Sequence, residues 1–169
     1  MRIIGIDPGS RNTGVGIVDQ VGNRLIHVYS TTIVTTQKEK LESRLQVIFE
    51  EMSGLIEQYH PQTAAIERVF HSVNPRSSLI LGHARGVALL ALNLGNLEIT
   101  EYAPNEVKSA VVGVGRAEKS QVGAMVRVLL NLDRRADLKE DEADALAVAI
   151  CHANTMNFSR PEFGKKGSF

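Results

Sequence analysis

The sequence predicts an α/β fold, a five-stranded mixed sheet flanked by helices on both faces and forming one domain. Three observations carry this. The chain opens with three strand-like segments joined by tight turns. Beyond them, short apolar runs alternate with longer stretches of helical periodicity. At 169 residues, with 43% hydrophobic and 22% charged content, the chain is long enough for one sizeable core and too short for two large lobes.

Taken in order, Ile3-Ile4-Gly5-Ile6 is a continuous apolar run that reads as a buried central strand ending at Asp7, and Pro8-Gly9-Ser10 marks a turn. Thr13 to Asp19 and Arg24 to Thr35 read as two further strands, joined near Val21-Gly22-Asn23. From Lys40 to Tyr59, apolar Leu41, Leu45, Ile48, Phe49, Met52, Leu55 and Ile56 recur at the spacing of an amphipathic helix. Thr63 to Glu67 is a second compact strand ending in an acid. Pro75 to Leu94 is helical and Glu98 to Tyr102 a short strand. Pro104-Asn105 opens another helix, with Asn105 expected as its cap, and Gly113-Val114-Gly115 ends it. Lys119 to Leu132 and Glu140 to Asn157 complete the helices. Residues 1–157 form the expected domain, and 158–169, with Pro161, Gly164 and Gly167, are expected to be a flexible tail.

Lysine plus arginine equals aspartate plus glutamate at 19 each, so global charge does not point to a nucleic-acid partner. Locally it is uneven. Arg68 to Leu97 carries three arginines and no acid, whereas Glu140 to Asp144 holds four acids in five residues. The single cysteine, Cys151, excludes an intrachain disulfide and reads as a buried helical thiol. No long apolar run suggesting a membrane span is apparent, nor is a signal-peptide layout, so a cytoplasmic location is expected.

The chemistry centres on carboxylates. Asp7 and Glu67 each close an apolar strand. Neighbouring parallel strands lie about 4.8 Å apart, so if these two strands are neighbours their acids emerge side by side at one sheet end, where ligands bind in α/β folds. Paired catalytic metals sit about 3.5–4 Å apart, a separation these acids can bridge. Burying an unpaired carboxylate is costly, although each acid could instead simply cap its strand through backbone N–H groups. Asp141 and Asp144, spaced i, i+3, share a helix face among alanines. Glu140 lies on Asp144's face too and competes with Asp141, while Glu140 and Glu142 are also explained as partners of the helix dipole. Oxygen ligands without a histidine–cysteine cluster indicate Mg2+, or Mn2+ in its place, and two ions suit in-line phosphoryl chemistry.

Ile4-Gly5-Ile6-Asp7-Pro8-Gly9 with Thr13-Gly14-Val15-Gly16 resembles the opening of the RuvC family of Holliday junction resolvases. Glu67-Arg68-Val69-Phe70 and Leu81-Gly82-His83-Ala84-Arg85-Gly86 are similar to its middle. Tyr102-Ala103-Pro104 through Lys108, Val112-Gly113 through Gln121, and Asp141 through Ala147 are similar to the rest. The resemblance implies an RNase H-like fold, a homodimer, and paired cuts in opposing strands of a four-way junction in recombination and repair. It also implies the RuvA–RuvB branch-migration complex as partner. Asp7, Glu67, Asp141 and Asp144 fall on the family's acidic positions, of which Asp141's is occupied by histidine in some members.

Lys108 and Lys119 match family basic positions near the scissile phosphate; without the resemblance both would read as solvated helix lysines. Arg76 and Arg85 are further candidate phosphate contacts. Phe70, in a loop-like segment, is either a base-stacking residue or a core plug, and the resemblance favours stacking. Two rivals remain at this point: a nucleotide-binding domain of the actin, Hsp70 and sugar-kinase type, disfavoured by length, and a non-catalytic junction-binding module, which has no use for four acids.

Overall fold

The computed structural model describes residues 1–68, 74–133 and 137–159. Ten elements follow in order: β1 (Arg2–Asp7), β2 (Asn12–Val21), β3 (Arg24–Val34), α1 (Leu41–Tyr59), β4 (Thr63–Glu67), α2 (Pro75–Leu94), β5 (Glu98–Tyr102), α3 (Pro104–Val112), α4 (Lys119–Leu129) and α5 (Glu140–Ser159). The strands form one sheet in the order β3-β2-β1-β4-β5. The first three strands pair antiparallel, while β4 joins β1 and β5 joins β4 in parallel, so the sheet is mixed as expected.

Side-chain alternation along the strands divides the core. Ile4, Ile6, Val15, Ile17, Ala64 and Ile66 face α1 and α2, packing on Ile48, Met52, Leu55 and Leu92. Ile3, Val18 and Ala65 face the other way, toward α3, α4 and α5. On that side the strands carry glycines where α5 crosses. A Cβ on Gly5 would lie 2.4 Å from the carbonyl oxygen of Ala145, one on Gly14 2.0 Å from that of Asp141, and one on Gly16 2.7 Å from the nitrogen of Leu146. No side chain fits, so the backbone of α5 lies directly on β1 and β2. The far half of the helix is pinned by His152, whose ring sits between the hydroxyls of Thr63 and Tyr102 at 2.9 Å each. Cys151 is buried beside it, and burial pushes its thiol up to about 11, as expected of an inert core cysteine.

Four local expectations are corrected. Asn105 does not cap α3. Pro104 occupies the first helical position, Ala103 precedes it as the cap, and the Glu106 carboxylate accepts the Ala103 N–H at 2.6 Å. Helix α4 stops at Leu129 rather than Leu132, because Asn131 turns into the left-handed region at φ 50°. Helix α5 continues two residues past Asn157 into the segment assigned to the tail; residues 160–169 lie outside those described. Finally, α2 is long and apolar enough, at mean hydropathy 1.3, to cross a membrane by length and composition, although no such run was expected. Its alanines Ala84, Ala88 and Ala91 are buried, whereas Leu79, Leu90 and Leu94 are exposed.

Candidate active site

Because β1 and β4 run parallel with Ile6 opposite Ile66, the next residues, Asp7 and Glu67, leave the sheet side by side. Both continue the alternation of Ile3, Gly5 and of Thr63, Ala65, so both point to the face covered by α5. The two carboxyl groups lie close enough to act on each other's ionisation. Burial, then the charges of Glu67 and Asp144, push Asp7 up to about 8; burial and Asp144 likewise raise Glu67. At neutral pH, without a cation, this pair holds a proton that ordinary carboxyl groups have lost.

The glycine contacts lay the first turns of α5 against the same sheet end. Asp144 approaches closely enough to raise both strand acids, and Asp141 is felt at Asp7. Asp141 also accepts the Asn12 side-chain amide at 3.1 Å. Glu140 turns away: its exposed carboxylate pairs with Lys119 at 2.7 Å. Between the two contenders for the fourth position, the geometry therefore brings Asp141, not Glu140, toward Asp7. Glu142, expected only as a partner of the helix dipole, is instead buried and accepts the Ser30 hydroxyl at 3.1 Å.

Lys119 bridges Glu140 and Asp144, at 2.7 and 3.0 Å, and these hydrogen bonds raise its pKa. Lys108 lies close enough for its charge to lower Glu67. Arg76 is exposed in the first turn of α2, beside the Asn74 cap. Arg85 pairs with Glu101 at 2.5 Å and reaches the Glu67 carbonyl, which places it at the end of β4. Phe70 lies outside the described residues. Among the described residues no three acid, histidine or cysteine side chains form a ready-made metal-binding group. The donor set nonetheless fits a hard divalent ion: it is all oxygen, it is anionic, and it is crowded enough that neighbouring carboxylates oppose one another's ionisation.

Sequence reasoning missed the groups that hold this end of the sheet. Buried Arg44 donates to the Ser10 carbonyl and to Thr35, which itself donates to the Ser10 carbonyl at 3.2 Å, and the Thr13 hydroxyl closes on Gly9 at 3.0 Å. Together they fix the turn that follows Asp7. The helical periodicity of α1 gave the only hint, placing a charged Arg44 on the inner side.

The family model described as crossover junction endodeoxyribonuclease RuvC matches residues 3–152. The chain is 52% identical over 159 residues to a crossover junction endodeoxyribonuclease RuvC of Syntrophotalea carbinolica, covering 94% of this chain and 98% of that one. It superposes with a TM-score of 0.87 and 29% identity on T. thermophilus RuvC in complex with Holliday junction substrate, covering 94% and 96% of the two chains. The yeast mitochondrial Holliday junction resolvase Ydc2, at TM-score 0.66 and 15% identity, shares the fold. Sheet order, helix placement and acids at the strand ends define an α/β protein of the RNase H-like nuclease fold. The chain belongs to the RuvC family of crossover junction endodeoxyribonucleases, which displaces the nucleotide-binding reading.

Proposed function

We propose that this chain resolves four-way DNA junctions by metal-dependent hydrolysis, with Asp7, Glu67 and Asp144 as the principal ligands and Asp141 at the margin. The observation that carries this reading is the Asp7–Glu67 pair at adjacent parallel strand ends, both acids raised by burial and crowding and facing Asp144. Such a cluster is electrostatically incomplete without a cation. Mg2+, with Mn2+ as substitute and two ions per site, supplies activation of the attacking water and neutralisation of the leaving oxygen. The chain's own groups do the rest. Asp7 and Glu67 bind from the rigid sheet, α5 carries its acids to them, and Lys108 and Lys119 offset phosphate charge at an otherwise acidic end. Arg76 is a contact to the junction backbone, and Phe70 stacks on an unpaired base.

The exposed apolar stripe of α2 suits a two-fold pairing of chains. Gly82 and Gly86 have open space beyond them and stand between Leu79 and Leu90 on that stripe. A symmetric dimer presents two equivalent sites to a junction with two-fold symmetry. The resemblance extends the reading to a cytoplasmic role in recombination and repair beside RuvA–RuvB.

The test compares wild type with Asp7→Asn on a synthetic four-way junction and on linear duplex in Mg2+. Junction-selective cutting is expected, with Asp7→Asn binding the junction and losing on the order of a thousandfold in rate. Retained cleavage by Asp7→Asn would sink the metal assignment. Equal cutting of duplex by wild type would make the chain a general nuclease.

A further inference from the structure

Strand β3 is irregular at one point: Ile17 lies opposite Tyr29, but Val18 lies opposite His27, so Val28 is an extra residue. In a regular strand, side chains three positions apart point to opposite faces. The bulge changes that, as bulges do when they re-aim a side chain. Ser30, opposite Gly16, and His27, opposite Val18, both come to face α5. There the Ser30 hydroxyl donates to Glu142 Oε2 at 3.1 Å, and His27 Nε2 stands 3.1 Å from the same hydroxyl oxygen. A serine has one hydrogen to give, and Glu142 takes it, so His27 is the donor to Ser30. Glu142 is 8% exposed and lies in the chain between Asp141 and Asp144.

A helix turns about 100° per residue, so Asp141 and Asp144 share one side of the first turns while Glu142 points away from them toward β3. We propose that the His27–Ser30–Glu142 chain is a pin that sets the orientation of the first turn of α5, making Glu142 and Ser30 positioning residues for the acids on the opposite side of the same turn. The glycine contacts fix how near α5 lies to the sheet and His152 pins its far half, so the hydrogen bond of Glu142 acts on the first turn, the one that carries Asp141 and Asp144. Asn12, holding Asp141 from the other flank at 3.1 Å, completes the constraint. The inference rests on the metal-dependent reading above, because its consequence is the alignment of a ligand set.

The experiment uses the full chain. Mn2+ binding without DNA is followed by electron paramagnetic resonance, junction affinity is measured in EDTA, and cleavage is measured under single turnover in Mg2+. Ser30→Ala and Glu142→Ala should each weaken Mn2+ binding and slow cleavage by about tenfold, the effect of losing a group that orients a ligand. Junction affinity should be unchanged. Glu142→Gln, which still accepts the serine hydroxyl, should restore most of both. The double alanine variant should be no worse than either single one, since both remove one linkage. Ser30→Ala keeps the test decisive if Glu142→Ala does not fold. Single variants that bind Mn2+ and cut like wild type would overturn the pin, as would additive losses or a glutamine variant as poor as alanine. A wild-type chain that neither binds Mn2+ nor cuts would instead overturn the metal-dependent reading beneath it.

Discussion

On one face of the sheet, Ile4, Ile6, Ile17 and Ile66 meet Ile48, Met52, Leu55 and Leu92 of α1 and α2, all buried. On the other, Gly5, Gly14 and Gly16 meet the backbone of α5 with no room for a methyl group. The first face is held by volume, since long side chains fill the space between layers and supply the transfer free energy of burial. The second gives up that volume for proximity. Its return is positional: the acids of α5 arrive within electrostatic reach of Asp7 and Glu67, and the remaining polar groups, His152 with Thr63 and Tyr102 and Glu142 with Ser30, fix the helix by hydrogen bonds. Both sides thus carry a buried core, but the acids gather on one side only.

The strongest way to break the contrast is Gly5→Ala. The new methyl meets backbone atoms on both sides, the Ala145 oxygen and the Ala149 nitrogen at 2.6 Å, so α5 must shift as a unit. A loss of about 3 kcal/mol in urea unfolding is expected, together with a fall in cleavage of more than about tenfold because the acids move with the helix. On the opposite face, Met52→Ala should cost about 2.5 kcal/mol by leaving a cavity, yet leave the cleavage rate of the folded enzyme near wild type. Equal damage to cleavage from both variants would erase the division between the faces.

A gentler test uses the raised pKa of Asp7. The native group titrates near 8, against about 3.9 for an unfolded aspartate. Between those values the unfolded chain carries the charge while the native chain holds the proton. Metal-free stability therefore falls as pH rises from about 4 to about 8. Asp7→Asn removes that liability. In EDTA its melting temperature should exceed that of wild type by about 5 °C at pH 9 and by little at pH 4. On the metal-dependent reading, Mg2+ should shrink the gap by stabilising wild type alone. A gap independent of pH would show that the crowding of these carboxyl groups is not what strains the site.

The sequence made the five strands and five helices legible because apolar runs, helical spacing and turn residues agree along most of the chain. The sheet-end meeting of Asp7 and Glu67 was legible for the same reason, each acid terminating an apolar strand. What escaped was tertiary in origin. The glycines of β1 and β2 are punctuation in a one-dimensional reading and become contacts only when α5 crosses them. Glu142 beside three other acids reads as a partner of the helix dipole until a bulge in β3 brings Ser30 to it. The exposed leucines of α2 lie among buried alanines, and composition alone does not say which side of that helix is covered.

The sheet's central strand is also the first made, while the helix that lies on it is the last. Asp7 ends the first strand and Asp144 lies on the last helix, so the two meet only where α5 docks onto Gly5 and Gly14. A chain without α5 has the pair of strand acids and no helical carboxylate beside it. On the metal-dependent reading, cutting then requires α5 to be docked, because a chain without it lacks part of the ligand set.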